Sequence, residues 1–145
     1  MKQLILTGLA WTIFLISGSA LASEPGQDPL ALKAVELCNN GKYDQAIATL
    51  SEGLKKRPND AFLLYLRGKA YTAKGQYGPA LADLNQAIRL NPQNGQAYFG
   101  RALVHVYQEN YEEAVKDLET AHKYGYRDED FLSLIKKKAE GKRKK

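Results

Sequence analysis

Along most of this chain the apolar residues fall three and four positions apart, the spacing that gathers them on one face of a helix. Breaker and cap residues cut the pattern into pieces. Asp28 followed by Pro29 opens a first helix, because proline in a first turn lacks only an N–H that has no partner there. Asn40-Gly41 closes that helix after Asn39. A second spans 44–56 and stops at Pro58; Asn59 or Asp60 caps a third over 61–74, closed by Gly75. A fourth carries Pro79 in its first turn and ends at Leu90, before Pro92. Asn94 caps a fifth that ends near Glu109. Asn110 and Glu113 have the spacing of a capping box for a sixth, and Gly125 has the place of a C-terminal cap. Asp128 opens a seventh, with Glu129 and Asp130 at its positive end and lysines at its negative end. No stretch shows the strict alternation and β-branched richness of a strand, so the expected class is all-α.

The helices also recur. Tyr43, Tyr77 and Tyr111 stand 34 residues apart. Each is followed by Ala three positions on (Ala46, Ala80, Ala114), by Leu seven on (Leu50, Leu84, Leu118) and by a small residue ten on (Gly53, Ala87, Ala121). Four positions held in register over three copies mean a stack of like supersecondary units. Only a few residues join the two helices of a pair, so the pair is antiparallel. Two rows of small residues, Ala34, Gly68, Ala102 and Ala46, Ala80, Ala114, allow close approach. The three tyrosines plug the space beside them. One pair cannot bury both its faces; three stacked pairs can, with a last helix over the open end. Phe131, Leu132, Leu134 and Ile135 give that helix its apolar side.

These residues resemble a tetratricopeptide repeat (TPR) array. The second copy has Leu64, Gly68, Tyr71, Gly75, Tyr77, Ala80, Leu84, Ala87 and Pro92; the first has Leu30, Ala34, Leu37, Gly41, Tyr43, Ala46, Leu50, Gly53 and Pro58. The third has Tyr98, Ala102, Tyr111, Ala114, Leu118 and Ala121, then departs: His105 stands for Tyr71, Glu109 for Gly75 and Tyr126 for Pro92. The resemblance covers 27–126. It implies a right-handed α-solenoid of three antiparallel helix pairs with a C-terminal capping helix: repeats at about 27–60, 61–94 and 95–128 within 28–126, then a cap over 127–140. It also implies a concave groove lined by the first helix of each pair, and binding of peptides, or of helices and loops of other proteins, rather than chemistry. Some members clamp the C-terminal carboxylate of cytosolic chaperones with Lys, Asn and Arg at inward positions. Here those places hold Ala31, Val35, Leu66, Gln96 and Gly100, so that clamp is absent.

The inward side of the second repeat's first helix reads Phe62, Tyr65, Lys69, Thr72. Its equivalents are Asp28, Ala31, Val35, Cys38 and Gln96, Phe99, Leu103, Val106. The groove is expected to be mostly apolar, with Tyr65 and Phe99 side by side and Lys69 as its central charge. The candidate protein-binding residues are therefore Val35, Phe62, Tyr65, Lys69, Thr72, Phe99, Leu103 and Val106. Contiguous apolar surface of this kind marks interaction sites, and it suits a helix or an extended peptide. The same residues could instead be inter-repeat core, or lie under the chain's own tail or a second copy.

The N-terminus carries an address. Lys2, an apolar run over 4–16 and then Ala20-Leu21-Ala22 read as a secretory signal peptide (1–22) cut after Ala22, with 23–27 as linker. The run is short of the ~20 residues of a membrane span; the alternative is an uncleaved N-terminal anchor. The expected location is periplasmic or secreted. The lone Cys38 permits no internal disulfide, and no Cys lies at the cleavage junction for lipid attachment. The absence of an Asn-x-Ser/Thr acceptor leans towards a bacterial periplasm.

The formal net charge of +5 belongs to the end of the chain, where Lys136 onwards holds seven Lys/Arg against Glu140 alone. A solvated basic tail, 141–145, is expected. Weak contact of these lysines with an anionic membrane or polymer is the alternative. Nucleic acid is not expected as a partner, since the tail interleaves no aromatics. His105 and His122 lack metal-ligand spacing, and no Lys or Arg lies near Cys38 in its own helix to activate it. No phosphate loop or nucleophile constellation appears. The expectation is no catalytic residue, no metal and no cofactor: an exported protein–protein adaptor, with a self-associating structural array or a tail-docked protein as alternatives.

Overall fold

The structure is a computed structural model, and it describes residues 28–144. The expected signal peptide (1–22), the expected linker (23–27) and Lys145 lie outside the described residues. The described chain forms seven α-helices and no strand: α1 (Pro29–Asn39), α2 (Tyr43–Lys56), α3 (Ala61–Ala73), α4 (Tyr77–Leu90), α5 (Gly95–Tyr107), α6 (Tyr111–Lys123) and α7 (Glu129–Arg143). Each helix packs on the next, and α3 also touches α1 and α5, so the first helices of the pairs line up along one side of the stack. The result is the all-α helical solenoid expected, with α7 laid on α6.

One turn, repeated, makes the hairpins. After α1 the Gly41 N–H donates to the Cys38 carbonyl and the Lys42 N–H to the Leu37 carbonyl; Gly75 and Gln76 do the same to Thr72 and Tyr71. This double bond to the end of the helix needs a left-handed residue, supplied by Gly41 (φ 71°) and Gly75 (φ 73°). In the third pair a glutamate takes that conformation, Glu109 at φ 58°. Its turn is otherwise the same, with Asn110 donating to the His105 carbonyl. That turn ends α5 at Tyr107, two residues before the expected end.

The two kinds of helix start differently. Asp28, Asp60 and Asn94 cap α1, α3 and α5 with side-chain oxygens that accept first-turn N–H groups. Lys42, Gln76 and Asn110 precede α2, α4 and α6 with no such bond. The capping box expected at Asn110 and Glu113 is therefore not formed. Asn110 leaves the tight turn with ψ 65°, against 84–117° at the four caps that work, Asp128 of α7 included, and its side chain does not reach the first turn.

Both rows of small residues are buried, Ala46, Ala80 and Ala114 completely. Gly68 shows why: a Cβ there would lie 2.8 Å from Leu84 Cγ. Two apolar clusters follow. One joins the first two repeats to α5 through Leu50, Leu63, Leu84 and Val104. The other joins the third repeat to α7 through Ala102, Ala114, Leu118 and Ile135.

A polar ladder crosses the stack beside this core. Arg67 of α3 forks onto Asp83 of α4 (2.7 and 2.8 Å) and reaches Ser51 of α2 (3.0 Å). Arg101 repeats this onto Asp117 (2.8 and 2.7 Å) and Asn85 (2.6 Å). Each arginine thus ties its own pair together and also grips the pair before it. Bidentate geometry makes these the stronger kind of ion pair.

At the C-terminus α7 runs to Arg143, beyond the expected end at 140. Lys142 Nζ donates to the Glu109 carbonyl (2.8 Å), Arg143 pairs with Glu112, and Lys136 pairs with Glu119. The basic residues hold α7 against α6, so helix replaces much of the tail expected over 141–145.

Candidate functional site

The inward residues of α1, α3 and α5 fall into two groups. Over the third repeat the chain covers its own groove. Phe99 packs on Tyr126 with ring centroids 4.4 Å apart and on Phe131 at 5.8 Å. Val106 joins the same cluster. Tyr65 is only 8% exposed; it lies against Phe62 (6.2 Å), and burial pushes its hydroxyl up to about 12, with Tyr126 adding to the effect. So the expected open pair of Tyr65 and Phe99 does not line a free groove. Their rings form its floor, because the segment from Tyr126 to Phe131 turns back over the last pair.

Over the first repeat the face is open. Val35 is 39% exposed and Lys69 is exposed. A cleft of about 200 Å³ lies between α1 and α3, walled by Val35, Cys38, Leu66 and Ala73, with Tyr43 at one end and Lys69 at the rim. Lys69 Nζ stands 5.5 Å from the Tyr65 ring centroid and makes no ion pair among the described residues. Thr72 turns its hydroxyl back to the Gly68 carbonyl (2.8 Å). Leu103 is half-buried between the two groups.

Cys38 lies in this cleft. Burial raises its thiol above the ordinary value and the Lys69 charge pulls the other way. Sequence reasoning looked for a cation only within its own helix, whereas the cation comes from α3. The balance leaves the thiol protonated at neutral pH, which disfavours a nucleophile. His105 also stays neutral: burial lowers its value, although the Asp117 carboxylate, 3.8 Å from Nε2, opposes this. Its Nδ1 is buried without a partner. The unfolded chain binds that proton more readily, so stability at this site falls as the pH drops below the ordinary histidine value. Among the described residues no group of three or more His, Cys, Asp or Glu has metal-site geometry, and no helix is long and apolar enough to cross a membrane.

The ladder residues were missed as functional or structural groups. The signal was the same 34-residue period: Arg67 and Arg101, Asp83 and Asp117, Ser51 and Asn85 all obey it.

The comparisons agree with the geometry. A family model described as TPR repeat matches residues 34–73 and 68–108, and one described as tetratricopeptide repeat matches 95–123. The chain belongs to the tetratricopeptide repeat family. No curated protein matches it. Among solved structures, the first TPR domain of human RPAP3 is 27% identical with TM-score 0.74, over 79% of this chain and 93% of that one. The first TPR of Spaghetti (RPAP3), bound to the HSP90 peptide SRMEEVD, is 27% identical with TM-score 0.70, over 77% and 89%. The Sgt2 TPR domain from Aspergillus fumigatus shares the fold at TM-score 0.77 and 22% identity, over 88% of each chain.

Proposed function

We propose that this protein is an exported adaptor that holds a peptide or helix of a protein partner on the concave face of its repeats. The observation that carries the reading is the open apolar cleft between α1 and α3, with the unpaired Lys69 on its rim. Binding contacts then fall to Val35, Lys69, Thr72 and Leu103, with Phe62, Tyr65, Phe99 and Val106 as the support beneath them. The similar RPAP3 domain carries a peptide ligand, which supports a peptide-holding role for this fold. The ligand chemistry differs. Ala31, Val35, Leu66, Gln96 and Gly100 offer no cation for a terminal carboxylate. Export rests on the run over 4–16 and the Ala20-Leu21-Ala22 site.

The test is Val35→Asp combined with Lys69→Glu. Both side chains are exposed, so helical circular dichroism is expected to be retained while cross-linked recovery of partners is lost. Unchanged recovery by the double variant overturns the groove as the binding surface.

A further inference from the structure

The slot beside Tyr43 has two counterparts in the molecule, and one of them is filled by a second tyrosine. Adding 34 to each position of the cleft places Tyr77 for Tyr43, Tyr107 for Ala73 and Leu103 for Lys69. There Tyr107 lies flat on Tyr77, centroids 6.0 Å apart and planes 11° from parallel. One repeat further on, Lys138 and Lys142 Nζ of α7 stand 5.5 and 5.7 Å from the Tyr111 ring centroid, beside an open cleft of about 410 Å³ that they line with Gly141. At Tyr43 the residue that would close the slot is Ala73, and a cleft of about 200 Å³ stays open.

We infer that this slot takes one aromatic side chain of a partner polypeptide, stacked on Tyr43 as Tyr107 stacks on Tyr77, with an acidic residue beside it paired to Lys69. The inference rests on the groove reading above and narrows it. Size points to a single side chain, since pockets for whole small molecules run to about 300–1,000 Å³. Chemistry separates the two internal precedents. The walls are Val35, Leu66, Ala70 and Ala73, and the one charge at the rim is positive. An ammonium like that of Lys142 would meet Lys69; a neutral ring would not, and a neighbouring carboxylate would be attracted. Offset stacking of two rings adds about 0.5–1.5 kcal/mol beyond the area it covers, so the slot also selects for an aromatic over an aliphatic chain.

The experiment is selection of a displayed random peptide library on the full-length chain. Enriched peptides are expected to carry Trp, Tyr or Phe with Asp or Glu within a residue or two. Ala73→Tyr fills the slot from within, as Tyr107 does next door, and should weaken those peptides by about ten-fold or more. Lys69→Glu should exchange the acidic preference for a basic one. If Ala73→Tyr fails to fold, Tyr43→Ala and Lys69→Glu carry the test, with circular dichroism as the control. Enriched peptides without an aromatic, or bound equally well by the filled variant, overturn the slot and leave the groove standing. Enrichment of no peptide removes both. Concentration-dependent dimerisation that Ala73→Tyr abolishes would put a second copy in the slot and overturn the peptide occupant.

Discussion

The two ends of the stack share one repeat pattern and treat it oppositely. Between α1 and α3 the positions 35, 69 and 73 hold Val, Lys and Ala, and the concave side is open; between α5 and α7 the same positions hold Leu103, Lys137 and Gly141, and the chain lies over its own rings. The closed end shows what the open end lacks. A tetratricopeptide pair leaves an aromatic plug beside each junction, and something must cover it. In the middle pair Tyr107 does so; at the closed end, with Gly141 at that position, the Tyr126 segment and α7 lie over the neighbouring rings instead, and at the open end Ala73 leaves the slot free. Open surface in this molecule is thus a local omission and not a property of the whole concave face.

The largest way to sharpen the contrast is Ile135→Ala. Ile135 is fully buried among Ala102, Ala114 and Leu118, and its truncation should cost about 2–5 kcal/mol, read by denaturant unfolding. Val35→Ala at the open end should change stability by no more than about 0.5 kcal/mol. Equal losses at the two ends would erase the distinction.

Asp117→Ala comes next. It leaves Arg101, which is mostly covered, without its fork and strips His105 of its opposing charge. A loss of about 2–3 kcal/mol is expected. Arg101→Met together with Asp117→Leu should recover part of it, since an apolar pair leaves no orphaned charge. No recovery would mean that the ladder works by shape alone.

The smallest effect has the opposite sign. Glu109 sits in the left-handed region that Gly41 and Gly75 occupy in the other two turns, so Glu109→Gly should stabilise by up to about 1 kcal/mol. The Lys142 bond goes to the backbone carbonyl and survives the change. A destabilised variant would show that the glutamate side chain itself secures the closed end.

Much of this was legible beforehand. Helix existence followed from periodicity, and hairpin positions from Gly41, Gly75 and Gly125, because each rests on local backbone chemistry. The buried rows of alanine followed from the period. What escaped depends on pieces distant in the chain. Phe99 has the right spacing for a groove, but Tyr126 and Phe131 determine whether it is free, and no local rule aims that segment back. Asn110 and Glu113 had the letters of a capping box, yet the preceding turn set the backbone angle first. The basic end looked like a solvated tail until Glu109, Glu112 and Glu119 gave it partners.

The arginine ladder has one missing rung. Lys33 and Thr49 stand where Arg67 and Asp83 would be in the first pair, so the ladder stops short of α1, and the guanidinium that ties α1 to the end of α2 is Arg57, paired with the capping Asp28 and with Asp60 of the next helix. Cooperative melting in such an array spreads from its least braced unit. The first hairpin also forms a wall of the open slot, so a guest seated there would staple the first pair to the second where the ladder does not reach, raising the melting temperature of the whole array.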